Sequence, residues 1–255
     1  MSMNDELPIK STFKAYDIRG VVGSELTPPI VKKIGQAIGT MALSQNQKTI
    51  CVGYDGRLSS PTLSSTLIDG LLSTGIDVIN IGLCTTPMLY FSTFHQATGT
   101  GVMVTGSHNP PEYNGFKIVV NEKTLFSDDI QTLYKAILNS NYLKGKGKER
   151  SLSIKSDYLD EISNSIKLKR PMRVAIDCGN GAGGVCAEEL FKKLGVETEP
   201  LFCDVDGNFP NHHPDPSNPK NLLDLKNALK NGDSELGLAF DGDADRLGVV
   251  TKDGE

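Results

Sequence analysis

The 255-residue chain lacks the cysteine pattern of a disulfide scaffold: its five cysteines are an odd count, and no Cys-x-x-Cys occurs. Unpaired thiols suit a reducing compartment, so the cytoplasm is the expected location. Cys51 and Cys178 fall in apolar, strand-like runs and read as packed thiols. No apolar run approaches the ~20 residues of a membrane span. The start, Met1 to Lys10, is polar and lacks the apolar stretch of a secretion signal. Positive charge is not in surplus either. Lys and Arg number 26 against 31 Asp and Glu, a formal charge of −5, so no nucleic-acid partner is expected. What remains, 38% hydrophobic and 22% charged residues, is the composition of a soluble protein with one large or two ordinary domains.

Two stretches stand out. In the first, the apolar run Gly101-Val102-Met103-Val104 leads into Thr105-Gly106-Ser107-His108-Asn109-Pro110. Turn formers follow, and then Phe116-Lys117-Ile118-Val119-Val120 reads as a returning strand. Ser107 thus stands where a rigid strand meets an irregular crest, a common place for reactive side chains. In the second, the strand 235–240 leads into Asp241-Gly242-Asp243-Ala244-Asp245-Arg246, and 247–251 returns. Carboxylates at alternate positions on a tight turn repel. Each pair at ~4 Å costs about 1 kcal/mol in water and about 4 kcal/mol at intermediate dielectric. A hard divalent cation such as Mg²⁺ relieves that repulsion. An EF-hand is excluded, because counting from Asp241 its Gly and Glu positions hold Arg246 and Lys252.

Between these crests the chain alternates strand and helix. Helices are expected after Thr27-Pro28, Ser60-Pro61, Thr86-Pro87 and Ser127, with Val31, Ile34, Ile38 and Met41 sharing one face of the first. Strands are expected at 48–52 and 77–81. The polar, glycine-containing stretch 139–150 reads as a solvated linker. The second half repeats the plan: a helix through Tyr158 and Leu159, strands at 173–177 and 196–202, and helices at about 185–194 and 221–231. Alternation of this kind gives an α/β class with a mostly parallel sheet. The short link across Ser107 must be an antiparallel return, since a parallel crossover needs a dozen or more residues. The expectation is therefore two similar three-layer α/β/α domains, each with a mixed, mostly parallel sheet, over residues 1–145 and 146–255.

Gly179-Asn180-Gly181-Ala182-Gly183-Gly184 has the form of a dinucleotide fingerprint, but too little chain follows it for the paired halves of that fold. His212-His213-Pro214-Asp215-Pro216 places histidines near acids; its prolines favour a rigid connector over a metal site. Adjacent Ser107 and His108 are not expected to meet as the nucleophile and base of a hydrolase triad.

Taken together, Thr105 to Pro110 and Asp241 to Arg246 resemble the motifs of the α-D-phosphohexomutase family. The opening Phe13-Lys14-Ala15-Tyr16-Asp17-Ile18-Arg19-Gly20 resembles its phosphomannomutase/phosphoglucomutase branch, and Ala244 stands where the phosphoglucosamine branch usually carries Gly. The resemblance implies exchange between hexose 1-phosphate and hexose 6-phosphate, of mannose or glucose, through a phosphoserine and a bisphosphorylated sugar. It implies that Ser107 carries the phosphoryl group, primed by a hexose 1,6-bisphosphate. It implies that Asp241, Asp243 and Asp245 hold Mg²⁺, that Lys117 and Arg246 add positive charge, and that Tyr16 and Arg19 reach the cleft to hold phosphate. His108 and Asn109 would shape the serine loop, with His108 also a candidate proton carrier. Only the family's domains I and II are legible here. The sugar-recognising domains III and IV are not, so little activity is expected from this chain alone. The alternatives are a phosphoglucosamine mutase, a serine-dependent phosphatase, and a non-catalytic metal-binding fragment.

Overall fold

A computed structural model describes residues 6–255, so residues 1–5 of the polar start lie outside the described residues. The first half contains β1 (Ile18–Val21), α1 (Pro28–Ser44), β2 (Thr49–Tyr54), α2 (Ser60–Leu72), β3 (Asp77–Leu83) and α3 (Thr86–His95). It continues with β4 (Gly101–Val104), β5 (Tyr113–Val120), β6 (Lys123–Thr124), α4 (Asp128–Leu138) and β7 (Glu149–Ser151). The second half holds α5 (Lys155–Ser165), β8 (Arg173–Asp177), α6 (Ala187–Lys193), β9 (Glu197–Leu201), α7 (Leu223–Asn231), β10 (Leu236–Phe240) and β11 (Leu247–Thr251).

The two halves form two α/β/α domains on one plan. In the first sheet the order is β1-β5-β4-β2-β3-β7, with β6 beside β5. In the second it is β11-β10-β8-β9. The strands β4-β2-β3 and β10-β8-β9 run parallel, while β5 and β11 return antiparallel to β4 and β10. The segment β5-β4-β2-β3 therefore recurs as β11-β10-β8-β9. Each crest caps the hairpin between the last parallel strand and its return.

Side chains alternate across the sheets as strand geometry requires. Ile50, Val52, Val102 and Val104 face α1, α2 and α4, whereas Cys51 and Met103 face α3. In the second sheet Val174 and Ile176 pack toward α6, and Ala175 and Ala239 toward α7. The cluster beneath α3 crosses between domains: Cys51, Ile79, Met88 and Met103 share it with Ile154 and Leu159 of the α5 region and with Cys186. That shared apolar contact fixes one crest relative to the other. Cys51 and Cys178 are buried free thiols. Among the described residues no helix is long and apolar enough to cross a membrane.

Several elements differ from expectation. Residues 18–21, where no strand is expected, form β1, because β5 offers them an antiparallel edge, with Arg19 opposite Gly115. The linker's side chains are mostly exposed, but its backbone is not free: Gly145 and Gly147 donate hydrogen bonds to the carbonyls of Ser73 and Leu72. Beyond the 145/146 boundary, β7 pairs with β3 and so belongs to the first sheet. The helix expected at 185–194 is a 3-10 turn, Ala182–Val185, followed by α6. Here the Ala182 N–H is committed to the Gly242 carbonyl, 2.9 Å away. The glycine stretch thereby supports the acidic crest. The cap of α3 is Thr85, which accepts from the Met88 N–H, leaving Thr86 as the first helical residue.

Helices α1 and α2 touch backbone to backbone at Gly35 and Gly70. A Cβ on Gly35 would lie 2.4 Å from the Leu67 carbonyl oxygen, and one on Gly70 would lie 2.3 Å from that of Lys32. Gly35→Ala should therefore lower stability by about 1–3 kcal/mol through overpacking, read as an earlier midpoint in urea unfolding.

Candidate active site

The first crest is built around a serine held in an uncommon backbone state. Ser107 has φ 50°, in the left-handed region, and is buried. Its N–H donates to Thr105 Oγ1 at 2.8 Å. Its hydroxyl donates to Asp241 Oδ2 at 2.8 Å and lies 3.2 Å from His108 Nδ1. The left-handed turn at Ser107 brings its hydroxyl to the next residue's ring. No hydrolase triad results, since the far nitrogen of His108 faces Arg246 Nη1 at 3.4 Å, where a triad needs a carboxylate. Burial and then Arg246 hold the His108 pKa below its ordinary value.

Beneath the crest lies a frame supplied by the loop after β2, whose residues are absent from the expected site. Arg57 is almost fully buried, and its guanidinium donates to the carbonyls of Ser107, Asn109, Pro110 and Tyr113 at 2.6–3.0 Å. Asp55 accepts from Ser60 Oγ, Thr105 Oγ1 and the Gly106 N–H, with Arg57 Nε 3.4 Å away. A planar five-donor fork suits such a cluster of carbonyls, and an ammonium does not. Burial pushes the Asp55 pKa up and that of Arg57 down, and each charge opposes the other's shift. Gly106 is required at this contact: a Cβ there would lie 2.2 Å from Arg57 Nε. The available signal was a charged pair, Asp55 and Arg57, directly after a strand of the parallel sheet.

The second crest brings Asp241, Asp243 and Asp245 together, with one ligand oxygen from each lying within 4.8 Å of the others. Asp241 and Asp243 are fully buried. Asp241 Oδ1 accepts from the N–H groups of Asp245 and Arg246. Asp243 Oδ2 accepts from Thr86 Oγ1 and from Lys117 Nζ, at 2.5 and 2.6 Å, and Lys117 also reaches Asp245. Thr86 comes free for this contact because Thr85 does the capping. Burial and then the charge of Asp243 raise the Asp241 pKa. Burial acts to raise that of Asp243 too, but Lys117 outweighs it and holds the carboxyl below its ordinary range. For Lys117, burial is outweighed by Asp243 and Asp245, and its pKa is raised. Asp243 Oδ1 is buried without any hydrogen-bond partner. An orphaned carboxylate oxygen among converging carboxylates is what a hard cation requires, so the residues fit a metal site.

Around both crests lies a cleft of about 560 Å³, lined by Tyr16, Arg19, Ser107, His108, Asn109, Lys117, Asp245 and Arg246. Lys14, Tyr90 and Thr124 also face it and were not anticipated. Tyr16 is 76% exposed, whereas Arg19 is 9% exposed. Arg19 donates to the Gly106 carbonyl and to Asn109 Oδ1, so it braces the crest as well as lining the cleft. Away from the crests, His95 is exposed on α3 near Asp157, and His212 Nε2 of the paired histidines sits 3.0 Å from buried Asp177.

Fold and site together describe a duplicated α/β/α protein in which one domain presents a serine hydroxyl to a carboxylate cluster on the other. The signature described as phosphoglucomutase/phosphomannomutase, alpha/beta/alpha domain I matches residues 10–144, and that of alpha/beta/alpha domain II matches residues 156–254. The chain belongs to the phosphoglucomutase/phosphomannomutase family. It is 54% identical to a phosphoglucomutase of Neisseria meningitidis serogroup B over 248 residues, which are 96% of this chain and 54% of that protein. It is 49% identical to a phosphomannomutase/phosphoglucomutase of Pseudomonas aeruginosa, again over 96% of this chain and 53% of the relative. A solved phosphoglucomutase/phosphomannomutase family protein of Burkholderia thailandensis superposes with a TM-score of 0.95 at 46% identity, covering 98% of this chain and 56% of that one. The chain thus spans about half the length of the curated relatives it matches.

Removing the buried guanidinium while Asp55 remains should cost about 3–5 kcal/mol, so Arg57→Met is expected to unfold at markedly lower urea, and Arg57→Lys should not restore the loss. A second expectation concerns pH. Burial acts to lower the His212 pKa, but the bond to Asp177 outweighs it and the net shift is upward. A raised pKa in the folded state means stability that is complete below the ordinary value of 6.5 and fades as pH rises through the folded value. The stability gap between the native protein and His212→Gln should be wider at about pH 5.5 than at about pH 9 in denaturant titrations.

Proposed function

We propose that the chain is the phosphoryl-carrying part of an intramolecular phosphotransferase that interconverts hexose 1-phosphates and hexose 6-phosphates of mannose or glucose, working in the cytoplasm. One observation carries this reading: Ser107 Oγ lies 2.8 Å from Asp241 Oδ2 at the edge of a cleft that also gathers Arg19, Lys117 and Arg246. Phosphoryl transfer calls for alignment and charge neutralisation more than covalent assistance, and that set supplies both. The relatives' names support the sugar phosphate class.

In this reading Ser107, once phosphorylated by a hexose 1,6-bisphosphate, gives that phosphoryl group to the free hydroxyl of a hexose monophosphate; the bisphosphate so formed turns over in the cleft and returns its other phosphoryl group to Ser107, leaving the isomeric monophosphate. Asp241, Asp243 and Asp245 hold Mg²⁺, consistent with the unpartnered Asp243 Oδ1. When bound, that ion supplies Lewis-acid polarisation of a phosphoryl oxygen. Lys117 and Arg246 face the charge of a phosphoserine, about −1.5 to −2. Tyr16, exposed at the mouth, and Arg19 contact the incoming phosphate. His108, with Nδ1 3.2 Å from the serine oxygen and its pKa held below the ordinary value, serves as proton carrier once the hydroxyl turns from Asp241, and Asn109 bonds to Arg19. Two domains, 1–145 and 146–255, carry these parts, with β7 lent to the first sheet. Because the relatives are about twice as long, recognition of the sugar and its distal phosphate is assigned to domains III and IV of the family, and the 255-residue chain alone should turn over little or no substrate.

Incubation with glucose 1,6-bisphosphate and Mg²⁺ should add the mass of one phosphoryl group to the native chain, located at Ser107, and none to Ser107→Ala. An unmodified native chain would count against the carrier role. Steady release of inorganic phosphate would favour a phosphatase instead. Asp243→Asn should weaken Mg²⁺ binding at least about tenfold by calorimetry, since one charged ligand is lost.

A further inference from the structure

The backbone carbonyls from Gly106 to Pro110 are each taken by a side chain. Arg19 donates to Gly106, and Arg57 donates to Ser107, Asn109 and Pro110. Both arginines belong to the same domain as the crest. The carbonyl left over, that of His108, receives His213 Nε2 at 2.5 Å, from a residue 105 positions away in the other domain. A carbonyl can only accept, so Nε2 of His213 must carry the proton.

His213 is itself held firmly. It belongs to the connector between β9 and α7, and its neighbours fasten that connector at two points. His212 bonds through Nε2 to the buried carboxylate of Asp177 at the end of β8, and its Nδ1 lies 3.0 Å from the His213 carbonyl. Pro214 is buried and lies against Gly179 on one side and Gly242, between two of the clustered carboxylates, on the other. The path from the acidic crest to the serine crest therefore runs through Gly242, Pro214, His213 and the His108 carbonyl. A second cross-domain contact lies close by, where Gly242 packs on the Ser107 carbonyl so tightly that a Cβ would fall 2.3 Å from that oxygen.

We propose that His213 is a positioning residue: by giving its Nε2 proton to the His108 carbonyl, it latches the serine crest to the domain that carries the carboxylates. The arginines shape the crest within its own domain, and His213 sets where that shaped crest sits relative to the other domain. The latched carbonyl belongs to His108, the residue directly after Ser107, so both side chains inherit its placement. Only the consequence for phosphoryl transfer rests on the proposed function; the latch is a statement about this chain's own geometry.

The test compares His213→Gln with His213→Glu in the 255-residue protein, by residue-resolved amide hydrogen exchange without metal or sugar phosphate. The two side chains have the same length, but the amide donates where the carboxylate only accepts. His213 is half-buried, which leaves room for either. In His213→Glu the amides of Gly106, Ser107 and Asn109 should exchange at least about tenfold faster than in the native protein, while β8 and β10 stay within about threefold. In His213→Gln the crest amides should stay within about threefold of native. Equal behaviour of the two variants, an unchanged crest in His213→Glu, or an even rise across the whole chain would each overturn the latch. A failure of Ser107 to accept a phosphoryl group would overturn the proposed function and leave this measurement intact.

Discussion

A serine hydroxyl and a carboxylate 134 residues apart in the chain lie 2.8 Å apart, and both are buried. Ser107 and Asp241 can meet only if two separately folded domains are locked together with their crests facing. The lock is apolar as well as polar: Ile154, Leu159 and Cys186 complete a core begun by Cys51, Ile79, Met88 and Met103. Burial of that surface is favourable and non-directional. Direction comes from the polar contacts: Thr86 bonds to Asp243 through its hydroxyl, and its N–H donates to the Asp243 carbonyl.

The lock creates an electrostatic problem. It buries two carboxylates near a third, and Lys117 supplies the only ammonium bonded to that cluster among the described residues. One oxygen of Asp243 still has no partner. A buried polar atom left unsatisfied is costly, and native proteins rarely keep one without a reason. Here the reason is the candidate metal site, where a cation and the lysine would share the same carboxylates. The first crest shows the opposite economy, with a buried guanidinium satisfying many carbonyls at once.

Duplication explains how one chain places two crests so alike. The strand order β5-β4-β2-β3 recurs as β11-β10-β8-β9, so a loop at the tip of the third parallel strand occupies the same position in each domain. A serine was placed at one tip and carboxylates at the other. Family membership, shown over residues 10–144 and 156–254, agrees with that arrangement.

Sequence alone determined the alternation of strands and helices, the antiparallel return at each crest, the repeat of one plan and the residues of both crests. These follow from local periodicity, turn chemistry and loop length, which short stretches of chain fully express. Tertiary structure decided the rest. Arg57 follows β2 in a loop, and only the fold shows which carbonyls surround it. Residues 18–21 and 149–151 became strands because sheet edges were there to pair with them. Thr85, not Thr86, proved to be the cap, and that single-residue shift released a hydroxyl for the other domain. Nothing in His212-His213 revealed that one ring would face a buried carboxylate and the other a carbonyl across the domain boundary. Contacts between residues a hundred positions apart depend on packing of the whole chain, and no local pattern encodes them.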